Sequence, residues 1–228
     1  MIKVKVKNMN HLKGENPKLF TVIDDYIEFL KQKTKDVDKN GNYIFKKEEV
    51  NEFHRIFYDL IDIILATYHA SIKDSKTNLY DMTFFNEVLK LEFEDSKRDN
   101  SKLSVIIVDL DGFKKINDTY GHIVGDNIII EIAKILKNSA RKNDVVARLG
   151  GDEFIVMLKG DELAAKQVMK RIRLKMKTDK ILKKYDVHFS AGIATITDSD
   201  KGYVSLEKRA DKMLYEAKKN GKNKDVFD

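Results

Sequence analysis

The chain of 228 residues contains no cysteine. Disulfides and zinc–thiolate sites are therefore excluded, and a secreted disulfide scaffold with them. The five histidines (His11, His54, His69, His122 and His188) are scattered, without the spacing of metal ligands. Proline is almost absent, and the single Pro17 reads as the first-turn residue of a helix. Long apolar runs are missing as well. The longest, around Leu60 to Ala66, is too short and too interrupted to span a bilayer. The opening Met-Ile-Lys-Val-Lys-Val-Lys lacks the apolar core of a signal peptide. These absences lead to the expectation of a soluble, cytoplasmic protein with no membrane partner. Aromatics do not interleave with Arg as they do on nucleic-acid surfaces, so no nucleic-acid partner is expected either. The net charge of +6 is accounted for by nucleotide phosphates or by plain solvation.

Hydrophobic residues make up 42% of the chain, enough for a real core. Two regions differ in pattern. In residues 1–75, Phe20, Ile23, Ile27 and Leu30 recur at helical spacing. A polar segment from Lys35 to Tyr43 follows, then a longer helical pattern from Lys46 to Ile72. Val50, Phe53, Phe57, Leu60 and Ile64 form a heptad-like seam, broadened by Ile56, Ile61 and Ile63. Two helices alone cannot bury so wide a stripe. Self-association into a four-helix bundle and packing onto the following domain both answer the need. The segment Asp36-Val37-Asp38-Lys39-Asn40-Gly41-Asn42 resembles the start of a calcium loop. Its twelfth position is Lys47, with Glu48 one residue late, so a polar interhelical turn reads better.

Residues 76–228 alternate helix and strand. Helices are expected at Met82–Asp95, Ile123–Lys137, Leu163–Met176 and Leu206–Lys219. Strands are expected at Leu103–Val108, Val145–Ala147, Phe154–Leu158 and Val187–Ile196. The second and third of these read as a hairpin across Gly150-Gly151-Asp152. The pattern implies an α+β or α/β sheet covered by helices, behind a small all-helical N-terminal module.

The chemistry concentrates in two acidic pairs. The apolar strand runs into Asp109-Leu110-Asp111, and Asp152-Glu153 lies at the tip of the glycine hairpin. Buried carboxylates need partners. Magnesium is a suitable one, because it takes oxygen ligands from one or two carboxylates and shares the rest with phosphates. Gly150 and Gly151 leave room for a bulky ligand near the backbone. A solvated turn explains either pair alone. Together, in this strand context, they suggest metal-assisted phosphoryl or nucleotidyl transfer.

Arg148-Leu149-Gly150-Gly151-Asp152-Glu153-Phe154 resembles the signature of the GGDEF family of nucleotide cyclases. The resemblance extends to the run from Asp109 to His122, to Gly125-Asp126, to Ser190-Ala191-Gly192-Ile193-Ala194, and to Arg209-Ala210-Asp211 through Gly221-Lys222-Asn223. It implies a palm-like sheet, akin to class III adenylyl cyclases and polymerases. The implied activity is that of a diguanylate cyclase, which condenses two GTP into cyclic di-GMP and two pyrophosphates. Two domains must face each other, so a homodimer is implied.

The family's roles carry over to matching positions. Asp109 and Asp152, with the Leu110 carbonyl, resemble the ligands of magnesium, for which manganese can substitute. Glu153 resembles the acid beside the ribose 3′-hydroxyl, and Gly150 and Gly151 the turn beneath the reacting groups. Asn117 and Asp126 resemble the pair that reads guanine. Gly112, Phe113 and Lys114 resemble a phosphate cradle. Lys218 and Lys222 resemble further phosphate clamps, although the family usually has Arg at the second. Arg141 and Asp144 match an inhibitory RxxD motif where product binds, with Arg171 as a third contributor and Arg173 as its competitor.

The chain departs from the family at the domain's opening, usually D-x-L-T-G-L-x-N-R. Asp74, Thr77 and Leu79 fit, whereas Lys76, Asn78, Asp81 and Met82 do not. Two further functions stay open beside the active enzyme. One is a catalytically weak domain that serves as a cyclic di-GMP receptor. The other is an enzyme of relaxed base choice that makes adenine-containing products. The intact hairpin argues against the first and Asp126 against the second.

Overall fold

The computed structural model describes residues 2–4, 38–39, 43–45, 68 and 71–228. The chain divides into two compact units, residues 1–71 and 72–228. In the first unit, β1 (Ile2–Val4) pairs antiparallel with β2 (Tyr43–Phe45), in the register Ile2↔Phe45 to Val4↔Tyr43. The all-helical expectation for this module is corrected accordingly. Both segments are built of β-branched, aromatic and Lys residues, but three residues are too few to set a readable period. The expected N-terminal helices lie outside the described residues apart from Tyr68, Ser71 and Ile72, their seam lies wholly outside, and so does the calcium-like loop apart from Asp38 and Lys39.

The second unit is built on a five-stranded sheet of order β4-β5-β3-β6-β7. Its elements follow in the order α1 (Met82–Asp99), β3 (Leu103–Leu110), α2 (Phe113–Tyr120), α3 (His122–Ser139), β4 (Val145–Gly150), β5 (Glu153–Lys159), α4 (Glu162–Thr178), α5 (Lys180–Lys184), β6 (Phe189–Thr195), α6 (Tyr203–Lys219) and β7 (Asp225–Phe227). The central β3 is buried along its whole length. It runs antiparallel to both neighbours, β5 and β6, and β7 joins the far edge parallel to β6.

Alternation along the strands sorts the core into two layers. Ile106, Val108, Leu110, Phe154, Val156 and Ile193 pack with α3 and α4 on one face. Val105, Ile107, Ile155, Met157 and Ala194 pack with α1 and α6 on the other. By the same parity, Asp109 and Glu153, directly opposed across β3 and β5, belong to the α6 face. Helix starts are fixed by carboxylates: Asp81 accepts from the Phe84 N–H, and Asp161 from the Ala164 N–H. Among the described residues, no helix is long and apolar enough to cross a membrane.

One close approach sets the position of α6. A Cβ on Gly192 would stand 2.1 Å from the Ala210 carbonyl oxygen and 2.1 Å from the Leu214 nitrogen. The helix backbone therefore rests directly on β6. Gly192→Ala is expected to lower unfolding free energy by about 3 kcal/mol, since neither backbone can yield without lifting the helix. Urea denaturation that shows an unchanged midpoint would contradict this packing.

Candidate active site

β3 ends at Asp109 and Leu110, between the start of β5 and the start of β6. Asp109 is 9% exposed, and its Oδ2 lies 2.7 Å from Nζ of Lys218, at the end of α6. The glycine hairpin closes over this edge. The Leu110 N–H donates to the Asp152 carbonyl at 3.3 Å, which ties the hairpin tip to the central strand. Gly150 and Gly151 have φ of 154° and 49°, and a Cβ at either would meet nothing within 4 Å. Only glycine adopts the first of these conformations readily, and the space above both is open.

The two carboxyls of the hairpin resist ionisation. Burial pushes the Asp152 carboxyl above its ordinary value, and the Asp109 charge pushes it further, with Lys218 and Arg148 offsetting part. Burial and then the Asp109 charge push Glu153 up in the same way. A hard cation would relieve both. No three acidic side chains among the described residues gather closely enough to hold a metal unaided. Magnesium does not require that, since backbone and phosphate oxygens complete its shell. The donor set of Asp109 and Asp152 beside the Leu110 backbone therefore fits the ion.

On the other side of β3's end, Gly112 turns the chain at φ 70° into α2. That helix starts without a side-chain cap, so the Phe113 and Lys114 N–H groups at its first turn suit an anion. Asn117, on α2, is packed against Gly125 of α3. A Cβ there would lie 1.8 Å from Asn117 Oδ1, so the glycine is what lets the amide pack against α3. Asp126 Oδ1 in turn lies 2.5 Å from Lys76 Nζ.

Several contacts had no sequence signal of their own. Asp111 accepts from the Ser190 hydroxyl at 2.8 Å and from the Asn223 N–H at 2.8 Å. It thereby tethers Gly221-Lys222-Asn223, three successive residues at φ 100°, 62° and 46°. Arg148 donates to both oxygens of Asp74, at 3.1 and 3.2 Å, and to the Gly151 carbonyl at 2.7 Å. The Asp74–Arg148 bridge joins residues 74 positions apart, which no local pattern announces.

The RxxD loop lies between α3 and β4, beyond the outer strand of the hairpin. It is closed on itself: the Arg141 N–H donates to Asp144 Oδ2 at 2.7 Å, and the Asp144 N–H to the Arg141 carbonyl at 3.1 Å. Both residues line a cavity of about 310 Å³ with Lys73, Lys137 and Tyr80. Arg171 approaches this end of α3, but its guanidinium donates to the Ser139 carbonyl at 2.6 and 3.1 Å. Arg173 points elsewhere, with its guanidinium on Asp225 and Asn223 and stacked over the Phe189 ring at 3.6 Å.

Residues 71–224 match the model of the family described as "Diguanylate cyclase, GGDEF domain". The chain belongs to the GGDEF family. It is 44% identical over 126 residues to diguanylate cyclase A of Treponema denticola, covering 54% of this chain and 34% of that protein. It is 34% identical over 157 residues to the probable diguanylate cyclase DgcC of Escherichia coli, covering 68% of this chain and 42% of that protein. The chain thus spans less than half the length of these two relatives. Among solved structures it is similar to the GGDEF domain of DgcB from Caulobacter crescentus, determined in complex with c-di-GMP. That likeness has a TM-score of 0.63 and 25% identity, and covers 68% of this chain and 95% of that one.

The raised Asp152 carboxyl gives this GGDEF domain a stability signature. The unfolded side chain titrates near 3.8 and the folded one above it. Between those values the native state binds more protons, so stability falls as pH rises through the window. With divalent metal chelated, Asp152→Asn is expected to melt a few degrees above wild type at neutral pH. The difference should close as pH is lowered toward about 4. Equal melting temperatures at neutral pH, read by circular dichroism, would show that the carboxylate carries no such strain.

Proposed function

We propose that this chain condenses two GTP into cyclic di-GMP, with release of two pyrophosphates, as a magnesium-dependent homodimer. The observation that carries the reading is that Asp109 and Glu153 oppose each other at one sheet edge, with Asp152 on the hairpin tip tied to it. There Lys218 lies against Asp109, beneath a glycine turn open to a ligand. Magnesium held by Asp109, Asp152 and the Leu110 carbonyl would supply charge neutralisation and polarisation of the α-phosphate.

The chain's own groups do the rest. The Phe113 and Lys114 N–H groups and the Lys114, Lys218 and Lys222 side chains bind the triphosphate. Asn117 and Asp126 orient the base. Glu153, with its pKa raised by burial, is suited to accept the proton of the 3′-hydroxyl. The 3′-oxygen then forms its bond to the α-phosphorus of the facing GTP as pyrophosphate leaves, and the reciprocal step closes the ring. Each domain presents one nucleotide, so two must meet, and tethering two chains raises the effective concentration of the half-sites.

Incubation of the purified chain with GTP and magnesium, with products resolved by mass spectrometry, is expected to yield cyclic di-GMP. Asp152→Ala should reduce turnover by more than roughly 100-fold at unchanged fold. Failure of the wild-type chain to form the dinucleotide would reject the proposal.

The RxxD cavity supports a regulatory extension of the same reading. Arg141 is exposed beside Lys73 and Lys137, a setting that favours phosphate oxygens. Cyclic di-GMP bound there is proposed to slow the enzyme. Loss of a charge-assisted pair costs about tenfold or more in affinity. Arg141→Ala should therefore raise the half-inhibiting product concentration by about that factor. Equal sensitivity of the two proteins would remove the loop from the account.

A further inference from the structure

The turn that opens the second unit is tightly pinned. The Asp74 carboxylate accepts from the Thr77 N–H at 2.8 Å and from the Thr77 hydroxyl at 2.6 Å. The Asn78 N–H donates to the Asp74 carbonyl, and the Asp74 N–H to the Leu79 carbonyl. Leu79 is buried, and Tyr80 bridges to Ala147 of β4. Lys76 stands on the tip of this fixed turn, 50 residues from the carboxylate it contacts, Asp126. It occupies a position where the sequence departs from the family's opening motif, which has Leu there.

We infer that Lys76 is a third guanine-reading residue, donating to O6 of the base while Asp126 takes N1–H and the 2-amino group. The inference rests on the proposed GTP reading. Guanine presents O6, N1–H and the 2-amino group in sequence along one edge. A carboxylate that accepts from the two donors has its neighbouring lone pair next to O6. A lysine already within hydrogen-bond distance of that carboxylate oxygen is therefore placed to donate to O6 as well. Lysine to guanine O6 is a common specific pairing in nucleic-acid recognition. Adenine carries an amino group where guanine has O6 and would set a donor against the lysine. Lys76 thus adds a reason to refuse ATP that Asp126 alone does not supply.

The partners of Lys76 argue for preorganisation. Its side chain is 38% exposed and that of Asp126 49%, so the pair alone stabilises the fold little. Asn117 packs against Gly125, the residue before Asp126. Lys76 and Asp126, from separate elements, meet where the base would lie, and the hydrogen bonds of the turn pin the backbone beneath Lys76.

The test uses nucleoside diphosphates, which lack the pyrophosphate leaving group and so report binding alone. GDP, IDP and 6-thio-GDP are titrated calorimetrically against wild type, Lys76→Leu and Lys76→Arg in magnesium. Inosine keeps O6 and N1–H but lacks the 2-amino group. The 6-thio base keeps both donors and replaces O6 by a poor acceptor. Wild type is expected to prefer GDP over 6-thio-GDP by about tenfold. Lys76→Leu should collapse that ratio towards one and leave the GDP-to-IDP ratio as it is, and Lys76→Arg should retain both. An unchanged GDP-to-6-thio-GDP ratio in Lys76→Leu would overturn the inference while leaving the GTP reading intact. Tighter GDP binding by Lys76→Leu would overturn it too, because Lys76 would then only mask Asp126. No GDP binding by wild type would overturn the nucleotide reading and this inference with it.

Discussion

The second unit depends on a carboxylate at the end of a buried strand. From Val105 to Val108 β3 carries apolar side chains on both faces, and Asp109 interrupts the pattern one residue before the strand ends. A charge that is 9% exposed needs a counter-charge, and the structure provides Lys218. That lysine reaches Asp109 because α6 lies unusually close to β6, and α6 lies there because Gly192 has no Cβ to hold it off. Lys218 is also in the last turn of α6, where the helix dipole favours a cation. One glycine in a strand thus determines where a positive charge meets the site proposed for the reaction.

The hairpin is the second half of the same arrangement. Its strands pair in register except for an irregularity between Arg148 and Gly150, just before the tip. Bulges of this kind redirect a strand and change which groups face the solvent. Here the tip is bent so that the Asp152 carbonyl reaches the Leu110 N–H, and Arg148 braces the Gly151 carbonyl from beneath. Asp152 and Glu153 are therefore held close to Asp109 against their mutual repulsion. Burial raises the pKa of both, and the nearby Asp109 charge raises it further.

Much of this was legible in the sequence because long elements carry their own period. The apolar run from Leu103 to Val108 and the glycine hairpin read directly as strands, and the helices around Ile128 and Val168 read as amphipathic stretches. Three elements of the second unit escaped. α2 buries only Ile116, so it has no stripe to detect. α5 and β7 are five and three residues long, below the length at which any period is defined. In the sequence the acidic pairs stood out, and Lys218, Ser190 and Asn223 fell in stretches that resemble the family, but the contacts among these residues were not visible. Asp111, Ser190 and Asn223 form one hydrogen-bonded group across three separate segments, and only the fold brings them together. The N-terminal ribbon escaped for the same reason as β7, since a three-residue pairing leaves no pattern along the chain.

The turn at Asp74 joins features that the motifs present as independent. Asp74 holds the turn through Thr77 and at the same time receives Arg148, whose other nitrogens grip the Gly151 carbonyl. The same turn places Lys76 on Asp126. Through one carboxylate, then, the edge proposed to read the base and the tip proposed to carry the reacting groups share a rigid support. The chain enters this support directly from the first unit, whose boundary falls at residue 71. The departures from the family's opening motif fall at this junction, in Lys76, Asn78, Asp81 and Met82, while Asp74, which makes both connections, is kept. Asn78 adopts φ 55°, a conformation that asparagine tolerates better than most residues, so the turn keeps its shape although the motif's glycine is gone.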